Sequence, residues 1–266
     1  MSNSKEKRLE SFGKLLDVLD ELREKCPWDR KQTNESLRCN TIEEVYELSN
    51  ALMKDDSDEI RKELGDVLLH IVFYSKIADE KGTFDIADVC DSLREKLVFR
   101  HPHVFGTVNV SGTHEVEQNW EQLKLKEKGG NKRVLDGVPE ALPSLIKAER
   151  IQEKAANYGF DWEQKEDVWG HAKVEESEVD QEMGVGSWES LTEEFGDLLF
   201  SMINAARLYK VNVDTALERT NRKFIGRFNY IEEEAERKGL QLKAMSLSQM
   251  DDLWNEAKKK ERERGE

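Results

Sequence analysis

Glu44 and Glu47 stand three residues apart in the stretch "TIEEVYEL", and Glu63 and Asp66 stand three apart in "ELGD". On helices, residues at this spacing share a face, so each pair projects its carboxylates together. Solvated, like charges at such spacing cost only about 0.2 to 0.5 kcal/mol per pair. Held about 4 Å apart at an effective dielectric near 20, each pair repels by about 4 kcal/mol, and something must compensate. A hard divalent cation does so: Mg²⁺ takes one or two carboxylates and completes its octahedron with waters and substrate phosphates. For a single ExxE in a chain with 56 acidic residues, a solvated acidic face is the ordinary explanation. A second carboxylate pair after a helix-sized gap, recurring later in the chain, moves the reading toward a metal site. Di-iron bundles use an ExxH element, and the residues three before the five histidines are Val67, Val98, Arg100, Ser111 and Val168, so redox iron is disfavoured. Neither a nucleophile elbow nor a Cys/His signature is present.

The recurrence is specific. "KELGDVLLHIVFYSKIA" at 62–78 matches "EEFGDLLFSMINAARLY" at 193–209, pairing Glu63 with Glu194 and Asp66 with Asp197. "REKLVFR" at 94–100 matches "NRKFIGR" at 221–227, pairing Lys96 with Lys223 and Arg100 with Arg227. Trp120 and Lys124 recur as Trp254 and Lys258, and "CPWD" at 26–29 sits where "YGFD" falls at 158–161. Lys96 with Arg100, one helical turn apart, suits anionic oxygens as point charge and planar fork; taken alone, a surface salt-bridge pair explains them as well. Each Trp offers a ring one turn from a cation, although a Trp also anchors amphipathic helices.

The elements that must position these groups are helices. Only four prolines occur in 266 residues, and apolar residues recur at helical spacing, as in Phe12, Leu15, Leu16, Leu19 and Leu22, so the class is all-α. Residues 63–78 predict a central helix apolar over most of its circumference. Residues 41–53 predict a second, with Thr41 as N-cap and Ile42, Tyr46, Leu48, Ala51 and Leu52 on its apolar face. "KDDSDE" reads as a short connection that makes the two antiparallel neighbours. The Gly- and charge-rich stretch around 127–141 is the expected linker between modules 1–126 and 142–266. A formal charge of -15 with scattered basic residues argues against a duplex nucleic-acid partner. Three cysteines without a CxxC pair fit a reducing cytoplasm, and "MSNSKEKRLE" lacks the apolar core of a signal peptide. The longest apolar stretch, Val67 to Tyr74, is too short to span a membrane.

Together "CPWDRKQT", "TIEEVYEL", "ELGDVLL", "RHPHVFG", "GFDW", "EEFGDLLF", "NRKFIGRF" and the final "LW" resemble the MazG family of nucleoside triphosphate pyrophosphohydrolases over nearly the whole chain. The resemblance implies a tandem of MazG-type helical bundle modules and a helical homodimer. It also implies Mg²⁺-dependent hydrolysis of (d)NTPs to the monophosphate and pyrophosphate, with Mn²⁺ as a substitute ion. Glu44, Glu47, Glu63, Asp66, Glu194 and Asp197 are then catalytic metal ligands. Lys223, Arg227, Trp254 and Lys258 match positions that hold the nucleotide, with Lys96, Arg100, Trp120 and Lys124 as N-terminal counterparts. Trp28, Asp29, Phe160 and Asp161 fall near the pocket mouth. The second copy departs from the family pattern at "KVEESEVDQEM", residues 173–183. Anchored on "DVW", Glu175 and Glu178 become the ligands with Val179 buried; anchored on "KV", Ser177 and Asp180 take those places. The first register is preferred.

Overall fold

The structure, a computed structural model, describes residues 3–112, 115–116, 119–120, 123 and 133–264. Among these residues every regular element is a helix. The chain divides into two compact units, Met1–Asn109 and Val110–Glu266. Most of the linker expected at 127–141 lies outside the described residues.

The first unit contains α1 (Lys5–Lys25), α2 (Asn34–Lys54), α3 (Ser57–Glu80), α4 (Ile86–Arg100) and the one-turn α5 (Pro102–Phe105). Leu19 of α1, Leu37 of α2 and Val72, Phe73 and Ile77 of α3 form its buried core, with Phe12, Leu15, Leu16, Leu68 and Tyr74 packed against them. Helices α2 and α3 form a hairpin whose connection is only Asp55 and Asp56, shorter than the expected "KDDSDE". Asp55 turns the chain in the left-handed region, φ 55°, and the Asp56 carboxylate caps α3 by accepting from the N–H groups of Asp58 and Glu59. With two residues in the turn, α2 and α3 run antiparallel along their lengths.

The start of α2 corrects the sequence expectation. Its N-cap is Thr33, whose hydroxyl accepts from Ser36 N–H while the Ser36 hydroxyl accepts from Thr33 N–H. Thr41 lies well inside the helix instead, where its hydroxyl donates to the Leu37 carbonyl at 2.9 Å and meets His70 Nδ1 at 3.0 Å and the Tyr74 hydroxyl. The apolar face expected on α2 is only partly covered: Ala51 is buried, whereas Ile42, Tyr46 and Leu52 are exposed.

The second unit contains α6 (Ser144–Ala156), α7 (Lys165–Val185), α8 (Trp188–Leu208), α9 (Val213–Arg237) and α10 (Leu247–Arg264). Helices α7 and α8 repeat the hairpin of α2 and α3 with another two-residue turn, Gly186 and Ser187. Gly186 is required by close approach, since a Cβ there would sit 2.8 Å from the Glu182 carbonyl oxygen. Ser187 then caps α8 through Ser190 N–H. Val168, Ala172 and Val179 of α7 and Ile203 and Ala205 of α8 are buried. Gln152 of α6 donates to the Phe200 carbonyl at 2.8 Å, tying α6 to the hairpin. Helices α9 and α10 pack together through Ile231, Ala235, Leu253 and Ala257. No helix among the described residues is long and apolar enough to cross a membrane.

Candidate functional site

The hairpins bring the carboxylates together. In the first unit one oxygen each of Glu44, Glu63 and Asp66 lies within 4.8 Å of the others. In the second unit Glu175, Glu194 and Asp197 converge within the same limit. The geometry follows from the turns: residues equally far from the turn of an antiparallel hairpin sit at one height, and Glu44 and Asp66 each stand eleven positions from Asp55. Glu175 and Asp197 stand equally far from Gly186. Consequently Glu44 to Glu63 and Glu175 to Glu194 have the same 19-residue spacing, a signal readable in the sequence that selects between the two registers of α7. In the structure Glu175 and Val179 are buried, while Ser177 and Asp180 are exposed and outside the cluster.

Glu47 and Glu178, the remaining expected ligands, are exposed and do not belong to the three-carboxylate groups. Their charges still reach inward. Burial, followed by the negative charges of Asp66, Glu47 and Glu63, pushes the Glu44 carboxyl above the usual carboxylate range. Burial also raises Glu194, with Glu178, Asp197 and Glu175 adding repulsion. Glu175 is raised by burial; His171 opposes that shift, and Glu178 and Asp197 reinforce it.

Glu63 carries the sharpest mismatch. Its side chain is buried, 6% exposed, and Oε2 has no hydrogen-bond partner. Oε1 accepts from Lys62 Nζ at 2.9 Å, and Lys62 lies 4.0 Å from Asp66. A buried carboxylate oxygen without a donor is costly to desolvate. An all-oxygen donor set with one such orphan fits a hard divalent cation. In the second unit the basic side chain beside the cluster is His171, whose Nε2 lies 3.1 Å from Glu175 Oε1 and whose ring stands 5.4 Å from that of Trp162. Neither Lys62 nor His171 was among the residues singled out from sequence, because each acts through a neighbour rather than through a motif.

Arg227 projects from α9 toward Trp254 on α10, which also carries Lys258, while Lys223 is exposed one turn earlier on α9. Arg227 Cζ stands 5.3 Å and Lys258 Nζ 6.0 Å from the Trp254 ring centroid, and Phe224 packs on the same ring at 5.1 Å. Glu261, also missed from sequence, accepts from Arg227 Nε at 3.0 Å and Nη2 at 2.7 Å. In the first unit Lys96 is exposed and Arg100 half-buried near the end of α4. Trp120 is half-buried within the range of the second unit, and Lys124 lies outside the described residues. At the residues expected near the pocket mouth, Arg207 Nη1 donates to Asp161 at 3.1 Å, and Arg23 donates to the Asp29 carbonyl. Trp28 and Phe160 are exposed.

Comparison with known proteins identifies the family. The family described as MazG nucleotide pyrophosphohydrolase domain matches residues 32–105 and 169–231, so the chain is a tandem of that module. A nucleoside triphosphate pyrophosphohydrolase/pyrophosphatase MazG of Thermotoga maritima is 44% identical over 93% of this chain and 95% of its own length. The nucleoside triphosphate pyrophosphohydrolase of Escherichia coli K12 is 36% identical over 95% of this chain and 99% of its own. The uncharacterized protein YabN of Bacillus subtilis is 46% identical over 94% of this chain, which spans 52% of that longer protein.

Proposed function

Because the chain belongs to the MazG family of nucleotide pyrophosphohydrolases, and so is a nucleoside triphosphate pyrophosphohydrolase, we propose that its two carboxylate hairpins are the hydrolytic sites. The reaction is attack of water on the α-phosphorus of a (d)NTP, releasing (d)NMP and pyrophosphate. In this reading the catalytic residues are Glu44, Glu47, Glu63 and Asp66, with Glu175, Glu178, Glu194 and Asp197 in the second module. The observation that carries it is the orphaned, buried Glu63 oxygen inside a three-carboxylate cluster whose counterpart recurs in the second unit.

Glu44, Glu63 and Asp66 would hold the ion, as would Glu175, Glu194 and Asp197. Mg²⁺, or Mn²⁺ in its place, supplies charge neutralisation and a more acidic water when bound there. Glu47 and Glu178, exposed beside the clusters, are suited to orient the attacking water and accept its proton. Lys223, Arg227 and Lys258 meet the phosphate oxygens and offset charge on the departing pyrophosphate, while Trp254 supports them from below. Lys96 and Arg100 are read in the same role for the first module. Modules 1–126 and 142–266, joined by 127–141, are each read as carrying one site. Exposed apolar residues on both hairpins, including Tyr46, Leu64, Phe195 and Leu199, support a homodimer as the working form. A cytoplasmic setting suits the three free cysteines.

Release of pyrophosphate and orthophosphate from a nucleoside triphosphate panel with Mg²⁺ tests the reading. The pair Glu63→Gln and Glu194→Gln combined should lower pyrophosphate release at least about 100-fold. Each single variant apportions the rate between modules. Wild-type release by the double variant refutes the site, and orthophosphate as product refutes attack at the α-phosphorus.

A further inference from the structure

The cations of the second module are not waiting empty-handed. Glu261 lies against the Arg227 guanidinium with three contacts: Nε to Oε1 at 3.0 Å, Nε to Oε2 at 3.0 Å and Nη2 to Oε2 at 2.7 Å. This two-oxygen engagement of a planar fork is the geometry by which Arg grips a phosphate. Both side chains are largely sheltered, 18% and 24% exposed, so solvent screens the pair less than an ordinary surface bridge. Lys223 and Lys258 also act on the same carboxylate. The Arg227 hydrogen bonds hold Glu261 below the usual carboxylate range; burial opposes them, and the positive charges of Arg227, Lys223 and Lys258 add smaller contributions in the same direction. One carboxylate thus occupies the Arg227 fork, with the charges of Lys223 and Lys258 also felt there.

We propose that Glu261 is an internal stand-in for a substrate phosphate, a specificity-determining residue that any anionic ligand must displace from Arg227. This rests on the reading of Lys223, Arg227 and Lys258 as the phosphate contacts. Glu261 sits one turn beyond Lys258 on α10, so it swings away without disturbing the carboxylate hairpin on α7 and α8. Displacing it sets a threshold: a polyanion that engages all three cations overcomes the ion pair, whereas a weakly charged anion does not. The same competition returns Glu261 to Arg227 after hydrolysis and speeds departure of pyrophosphate.

The rival explanation is a staple that ties α10 to α9, and affinity separates the two. Inorganic pyrophosphate is titrated calorimetrically into the full chain at fixed Mg²⁺, for the wild type, Glu261→Gln, Glu261→Ala and Arg227→Ala. Removing the competitor should tighten pyrophosphate binding about fivefold in both Glu261 variants, the equivalent of about 1 kcal/mol. Arg227→Ala should weaken it. Unchanged or weaker binding in both Glu261 variants, beside weaker binding in Arg227→Ala, overturns the stand-in and leaves the phosphate site intact. Wild-type affinity in Arg227→Ala overturns the phosphate site itself and the proposal with it. A staple lowers the melting temperature of the Glu261 variants without tightening pyrophosphate.

Discussion

Glu63 and Glu44 show how one side chain's surroundings turn a common residue into a site. Glu63 keeps one oxygen on Lys62 and leaves the other buried and unpartnered. Glu44 has its carboxyl pushed up first by burial and then by Asp66, Glu47 and Glu63. The sign of the pH effect follows. A carboxyl whose folded value exceeds its unfolded one favours folding below the ordinary carboxylate range, and that contribution is lost as pH rises through the raised folded value. Above that range the metal-free chain therefore carries a penalty at Glu44. Metal-free Glu44→Gln should melt higher than the wild type at neutral pH, and the gap should close as the pH is lowered into the carboxylate range. Mg²⁺ at about 100 times its dissociation constant should stabilise the wild type by about 2.7 kcal/mol per site, and this gain should vanish when Glu63→Gln is combined with Glu194→Gln. Thermal unfolding with and without chelator reads both; an equal Mg²⁺ gain in that double variant would remove the metal site.

Helix α2 shows what an element adds to its residues. Its apolar periodicity begins in earnest only near Ile42, so a cap-forming Thr41 just before it reads as the helix start. The chain instead begins the helix at Asn34, because Thr33 and Ser36 cap each other and Leu37 reaches the core. Thr41 is thereby placed on the inner face, bridging His70 and Tyr74 of α3 one turn ahead of Glu44. Burial lowers the pKa of His70, partly opposed by Asp66, so the ring at neutral pH is uncharged and needs that hydroxyl as a neutral partner. Thr41→Val keeps the shape and removes the hydroxyl, and should cost about 1 to 3 kcal/mol in urea unfolding. Thr33→Ala should cost about 1 kcal/mol. A negligible loss at Thr33 beside a loss of about 1 kcal/mol at Thr41 would restore the simpler view of Thr41 as the helix cap.

For the whole molecule, the repeat is the organising fact: each unit contains a carboxylate hairpin closed by a two-residue turn. Both hairpins leave large apolar side chains exposed, among them Ile42, Val45, Leu69, Phe200 and Met202. Sedimentation equilibrium should accordingly give twice the 30.9 kDa chain mass at micromolar concentration, and a single-chain mass would refute the homodimer. The sequence by itself determined the helical class, the tandem repeat and the identity of the acidic and basic groups, because periodicity, spacing and self-similarity are properties of the chain. It also contained the equal 19-residue intervals that distinguish Glu175 from Ser177, since a hairpin's height register depends only on distance from its turn. Only the tertiary structure decided that Glu47 and Glu178 stay exposed outside the three-carboxylate groups, that Glu63 keeps an unpartnered oxygen, and that Glu261 has seized Arg227. Those outcomes depend on side-chain direction and on desolvation by neighbours remote in sequence, and neither is fixed until the helices pack.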